Sequence, residues 1–148
     1  MKIESITFHH LSMPLVSVFE TSFGRETDRE CILITIRSEG LVGYGECVAS
    51  RDPGYNYETT GTAMHILKDF ISPLILGQDV KDALDFQERV SGIRGHQLAK
   101  AGVEMALWDL LGKRENKSLR ELLGGVREKV EVGVSIGIQS SARGLVGT

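Results

Sequence analysis

The residues with which this chain could do chemistry are four histidines, a Gly-Tyr-Gly-Glu tetrapeptide, two cysteines and scattered carboxylates. His9 and His10 are adjacent in a segment that reads as a strand, so their side chains point to opposite faces and cannot share a metal. His65 lies beside an apolar helical stripe and His96 at a helix start. Both read as solvated or capping residues. Gly43-Tyr44-Gly45-Glu46 has the composition of a phosphate loop, but it sits inside a strand rather than between a strand and a helix, and so fails the context such a loop needs. There is no HExxH, no Asp-x-Asp on a recognisable strand end and no nucleophile elbow. Glu46 falls on the face expected to carry Ile32, Ile34 and Ile36, and Asp109 lies in an apolar helix. A buried carboxylate needs a partner, and a structural role is the expectation for each. These residues do not compose a self-sufficient catalyst.

The elements that must position them divide into a sheet and a helical layer. Ile3 to Met13 reads as a first strand, stopped at Pro14, which cannot donate to a ladder. Cys31 to Arg37 is rich in β-branched residues, and Ile32, Ile34 and Ile36 alternate onto one face. Ser38-Glu39-Gly40 reads as a three-residue hairpin loop, with Gly40 at the left-handed position, and the return strand is Leu41 to Ala49. That loop pairs Arg37 with Leu41 and therefore Cys31 with Cys47, at a separation a disulfide accepts. The alternative is two small apolar residues packing side by side, favoured because thiols stay reduced in the cytosol.

Helices follow. Ala63, Ile66, Leu67, Phe70, Ile71 and Leu74 form one apolar stripe, with Asn56 as a cap near its start and Gly77 closing it. A shorter helix is expected from about Asp79 to Val90, and Gly92 and Gly95 bracket a turn. The third helix, His96 to Gly112, is apolar almost all round, which calls for more covering surface than three strands provide. A short helix spans Leu119 to Leu123 and ends at Gly124-Gly125. Three strands followed by helices make an α+β fold with segregated layers. Val130, Val132, Val134, Ile136 and Ile138 then alternate with polar or small residues, a strand signal that suits a barrel wall. A β/α barrel takes about 250 residues, so the remaining length cannot complete one.

The chain has 148 residues and a formal net charge of −3, which suits one compact domain and gives no basis for a nucleic-acid or anionic-membrane partner. No apolar run approaches the roughly 20 residues of a membrane-spanning helix, and Met1 to Ser5 lacks the character of a signal peptide. A cytoplasmic protein is expected.

Over essentially its whole length to Gln139 the sequence resembles the muconate-lactonizing subgroup of the enolase superfamily. The residues that carry this are Ala106-Leu107-Trp108-Asp109-Leu110-Leu111-Gly112-Lys113, Ser118-Leu119 and Leu122-Leu123-Gly124-Gly125. More narrowly, Met13-Pro14-Leu15, Thr21-Ser22-Phe23-Gly24, Gly45-Glu46-Cys47-Val48-Ala49 and Gly133-Val134-Ser135-Ile136-Gly137-Ile138 resemble o-succinylbenzoate synthases and N-acylamino acid racemases. The resemblance implies an enolase-like N-terminal capping domain over residues 1–127, with residues 128–148 holding the first barrel strand and a tail. It implies two substrate-enclosing loops, Val18 to Arg25 and Ala49 to Tyr57, with Phe19, Phe23, Ser50 and Tyr55 around the substrate. Ser50 stands where related sequences can carry a larger apolar residue. Ser135, on the barrel strand, would donate to a substrate carboxylate.

The parent enzyme so implied is a lyase or racemase that abstracts a proton α to the carboxylate of a small substrate, with Mg²⁺ stabilising the enediolate. The base lysines and metal ligands would lie beyond Thr148. No catalytic residue, metal ligand or cofactor is therefore expected in this chain, which would be inactive alone and would self-associate where the barrel should cover it. The other readings are a free-standing interaction module with the same fold, or a piece of a dipeptide epimerase or muconate cycloisomerase.

Overall fold

A computed structural model describes residues 1–22, 24–139 and 141–146. Three antiparallel strands, β1 (Ser5–Thr21), β2 (Gly24–Ser38) and β3 (Leu41–Cys47), form a meander in the order β1-β2-β3. One face carries α4 (Gln97–Glu115). Alternation explains the face: Ile32, Ile34 and Ile36 are fully buried, and they pair with Cys47, Gly45 and Gly43 of β3 and with His10, Phe8 and Ile6 of β1. Each such isoleucine contributes about 1.5–3 kcal/mol relative to an exposed one.

Two details of the sheet depart from the sequence expectation. First, β1 does not stop at Pro14. It runs on to Thr21, with Pro14 opposite Asp28 and a register shift between Pro14 and Phe19. As an edge strand β1 has a neighbour on one side only, so a residue without an N–H is tolerated there. The β1–β2 pair thus extends past the core as a two-stranded ribbon.

Second, the β2–β3 loop has two residues. Ser38 pairs with Leu41, and both Glu39 (φ 52°) and Gly40 (φ 79°) are left-handed, as a type I′ turn requires. The Glu39 amide donates to Glu4 Oε1 at 3.1 Å. The shift by one residue places Cys47 opposite Ile32, so the two cysteines are not directly opposed. Both are buried and free. The same shift puts Glu46 opposite Leu33, exposed on the outer face instead of the isoleucine face.

The first helical stretch comprises α1 (Thr60–His65), a π-helical segment (Ile66–Ile71) and α2 (Ser72–Ile75). Thr59 caps it in a reciprocal capping box with Thr62, displacing the expected Asn56, whose Oδ1 instead accepts from the Glu58 amide at 3.0 Å. The wider π turn alters the buried stripe. Ala63, Leu67, Ile71 and Ile75, four residues apart, are fully buried, whereas Phe70 and Leu74 are exposed. Gly77 (φ 75°) ends the stretch. The following turn is stitched to the N-terminus: the Ile3 amide donates to the Gln78 carbonyl, and the Met1 ammonium donates to the Val80 carbonyl. Then come α3 (Ala83–Arg89), α4, α5 (Leu119–Leu122) and α6 (Ala142–Val146).

Helix α4 lies on β3 at backbone contact. A Cβ at Gly45 would stand 2.0 Å from the Gly102 carbonyl oxygen, and one at Gly43 would stand 2.2 Å from that of Ala106. This is the physical role of the Gly-Tyr-Gly-Glu strand. Asp109 meets its expected need for a partner at the open edge of β3. Its Oδ2 accepts from the Tyr44 amide at 2.9 Å and from Lys113 Nζ at 2.6 Å, while Lys113 Nζ donates to the Val42 carbonyl. An edge that would otherwise recruit another strand is thereby covered.

The segment from Val130 to Ile138 forms no ladder among the described residues, and every side chain in it is exposed. Its alternation is that of a strand, but a strand is made by hydrogen bonds to a neighbour, and none lies alongside.

Candidate substrate-enclosing cleft

The distal part of the β1–β2 ribbon and the loop after β3 face each other across an open cleft of about 660 Å³. From the ribbon come Phe19, Thr21, Glu26, Asp28 and Glu30, among others; from the loop come Ser50, Arg51, Asp52, Gly54 and Tyr55. Pairing resumes after the register shift at Phe19, which lines the cleft. Phe19 is 49% exposed, with the Arg29 guanidinium 5.9 Å from its ring centre, within cation–π range. Arg29 is also paired with Glu26, and Arg25 with Glu20. Tyr55 is 87% exposed on the opposite wall.

The loop is closed at its base. Ser50 bridges to Thr59, and the Thr60 amide donates to the Ser50 carbonyl at 2.8 Å. Tyr57 Oη accepts from the His96 amide at 3.0 Å. The carboxylate of Glu58, almost fully buried, accepts from the Leu98 amide at 2.9 Å and the Ala99 amide at 3.1 Å. An anion at the start of α4 satisfies two otherwise orphaned donors and complements the helix dipole. His96 sits at that helix start in a left-handed conformation, but against expectation it is neither a side-chain cap nor fully solvated, since its Nδ1 is buried without a hydrogen-bond partner.

One polar cluster joins the two walls. Glu30, only 8% exposed, accepts from Arg51 through Nε (2.7 Å) and Nη2, from Thr60 Oγ1 at 3.3 Å, and pairs with His10 Nε2 at 3.0 Å. The Arg51 guanidinium, followed by the His10 contact, holds the Glu30 carboxyl below its usual range, and Glu30 in turn pushes Arg51 up. Among the described residues no three His, Cys, Asp or Glu side chains converge as a metal ion requires. The buried carboxylate of Glu30 faces a cation and hydrogen-bond donors, which is the wrong chemistry for a Mg²⁺ ligand. Mg²⁺ does not fit these residues.

Of the residues expected around a substrate, Phe19, Ser50 and Tyr55 line this cleft together. Phe23 lies outside the described residues. Ser135 is exposed in the unladdered segment and does not line the cleft. Sequence reasoning missed Glu30, Arg51 and Glu58. Glu30 had a signal, since it continues the even-numbered face of Ile32, Ile34 and Ile36. Glu58 had none, because its partners lie some forty residues away in α4.

Residues 2–124 match the mandelate racemase / muconate lactonizing enzyme N-terminal domain. The chain belongs to that family. It is 43% identical over 141 residues to an N-succinylamino acid racemase of Thermus thermophilus, covering 95% of this chain and 38% of that protein. It is 41% identical over 147 residues to an o-succinylbenzoate synthase of Geobacillus stearothermophilus, covering 99% and 39%. A crystal structure of an enolase-superfamily member from Listeria innocua superposes with a TM-score of 0.91 at 35% identity, over 99% of this chain and 40% of that one. The three-stranded sheet with its helices is thus the enolase-type N-terminal capping fold, and the chain spans about two-fifths of the length of these relatives. No helix among the described residues is long and apolar enough to cross a membrane.

Proposed function

We propose that this chain is the substrate-enclosing N-terminal domain of a Mg²⁺-dependent enzyme of the o-succinylbenzoate synthase or N-succinylamino acid racemase type, and that it is inactive alone. The observation that carries the reading is the convergence of Phe19 on the ribbon with Ser50 and Tyr55 on the facing loop, across one cleft. Such a wall binds the apolar part of a small carboxylate and excludes water. Identity of about two-fifths to relatives bearing both names supports this substrate class.

The ligands of Mg²⁺ and the base that takes the proton would lie on the part of such an enzyme that this domain covers. Neither the ion nor the base is assigned to residues of this chain, whose share is to orient and enclose. Residues 1–127 form the cap. Residues 128–148 begin the barrel, and there Ser135 gains its place as a carboxylate donor once neighbouring strands pair with its segment.

The test is an assay of this chain, and of the longer product if the reading frame continues past Thr148, with Mg²⁺ and either the synthase precursor or an N-succinylamino acid. The longer product turns over at least one; this chain turns over neither. Turnover by the 148-residue chain, or a downstream frame without a barrel, defeats the proposal.

A further inference from the structure

The two walls of the cleft come from distant stretches of sequence, and one buried carboxylate is common to both. Glu30 belongs to β2, His10 to β1, Arg51 to the loop and Thr60 to the first turn of α1. Ser50, Tyr57 and Glu58 tie the loop at its base. Between them, Arg51 makes a bond that reaches across to the ribbon. Its side chain is 70% exposed while that of Glu30 is 8% exposed, so a surface group is held by an anchor inside the protein. Arg51 donates through Nε and Nη2 to one oxygen of Glu30, Oε1, while Oε2 pairs with His10 and accepts from Thr60, so the two oxygens of a single carboxylate are divided between the loop and the elements behind it.

We infer that Glu30 is a positioning residue whose carboxylate clamps the 51–56 arc to the β1–β2 ribbon, so that Phe19 and Tyr55 enclose a substrate as one unit. Glu30 need not touch the substrate; it acts through Arg51 and Thr60. This inference rests on reading the cleft as substrate-enclosing, so its test has one arm that is independent of catalysis.

In that arm, amide hydrogen exchange is followed in the 148-residue chain at Thr60, whose N–H donates to the Ser50 carbonyl where the arc begins, and, as reference, in residues 99–111 of α4. Glu30→Gln and Arg51→Gln are expected to raise exchange at Thr60 by about three- to ten-fold, the scale of a charge-assisted bond with one exposed partner, with α4 unchanged. Arg51→Lys keeps the charge without the fork and restores part of the protection. Arg51 is a surface side chain, so Arg51→Gln tests the clamp even where Glu30→Gln unfolds the domain. Exchange at Thr60 that is unchanged in Arg51→Gln, or that rises equally in α4, overturns the clamp.

The second arm measures the longer enzyme with its substrate. A clamp that orders the enclosing walls predicts a raised KM with kcat little changed in Arg51→Gln, partly restored in Arg51→Lys. An equal fall in kcat with KM unchanged overturns it. Failure of the longer enzyme to turn over either substrate sinks the functional reading and leaves the exchange result standing. Turnover with unaltered exchange sinks the clamp alone.

Discussion

At the scale of single residues, the consequential side chains are those that settle where a loop or a helix begins. Glu58 illustrates this. Its carboxylate takes the Leu98 and Ala99 amides, the first part-buried and the second buried, and Glu58→Ala would leave both without this acceptor. Two unsatisfied amides cost about 2–4 kcal/mol, and the urea midpoint is expected to fall accordingly with the denaturant slope unchanged. Phe19 and Tyr55 are exposed at 49% and 87%, so truncating either to alanine should barely move that midpoint. In the longer enzyme each truncation is expected to raise KM, by about ten-fold for one lost aromatic contact of roughly 1.4 kcal/mol. A large stability loss with normal kinetics would place them in the fold rather than the site. Phe19 and Tyr55 could be named from sequence because short motifs flank them. Glu30 and Glu58 could not, because a carboxylate's partner is visible only when two distant segments meet.

At the scale of elements, the decisive contact is α4 on β3. Glycines 43, 45 and 102 with Ala106 let the two backbones touch, and the hallmark Asp109 and Lys113 then reach the strand edge. Gly45→Ala would place a methyl 2.0 Å from the Gly102 carbonyl and 2.8 Å from the Ala106 amide. Backbone cannot yield as a side-chain tip does, so a loss of about 3 kcal/mol or more is expected, read as a lowered Tm. Gly133→Ala is the matched control, since nothing lies within 4 Å of the added carbon. Equal Tm for both variants would refute the close-packing account. Alternation placed the isoleucine face correctly, and 3.6-residue periodicity found the helices. The hairpin register was off by one because a left-handed glutamate beside a glycine was not anticipated, and the first helix's stripe shifted because a π turn cannot be read from apolar spacing.

At the scale of the whole molecule, charge and exposed apolar surface govern behaviour. Glu30 with Arg51, Asp85 with Arg89, Glu115 with Lys117 and Glu121 with Ser118 all have carboxyls held below their ordinary values, chiefly by those partners. A depressed pKa in the folded state adds stability above the ordinary value, and this stability is lost as pH falls through the lowered one. Tm is therefore expected to be flat with respect to these groups at neutral pH. It should decline once pH drops below the ordinary 4.5 of the glutamates and 3.8 of Asp85. A Tm that rises on acidification through that window would contradict the ion pairs. Val130, Val132, Val134 and Ile138 are each at least 62% exposed, and an apolar strand-forming run without a neighbour favours association. Size-exclusion chromatography at rising concentration is expected to show species larger than a monomer, and replacing Val132 and Val134 by threonine should reduce them. A monomer at every concentration would count against this.

Composition, alternation and the hallmark around Asp109 were enough to determine the class of fold, the buried face of the sheet and the family, because each depends on local periodicity or on contiguous residues. Tertiary structure alone decided the length of the ribbon past Pro14, the I′ turn and its register, and the shifted stripe of the first helix. It also decided that Glu30 and Glu58 anchor the cleft's walls. These outcomes depend on which distant backbones approach closely enough to exchange hydrogen bonds, and on where the sheet has an edge. Neither is written in the spacing of residues along a single segment.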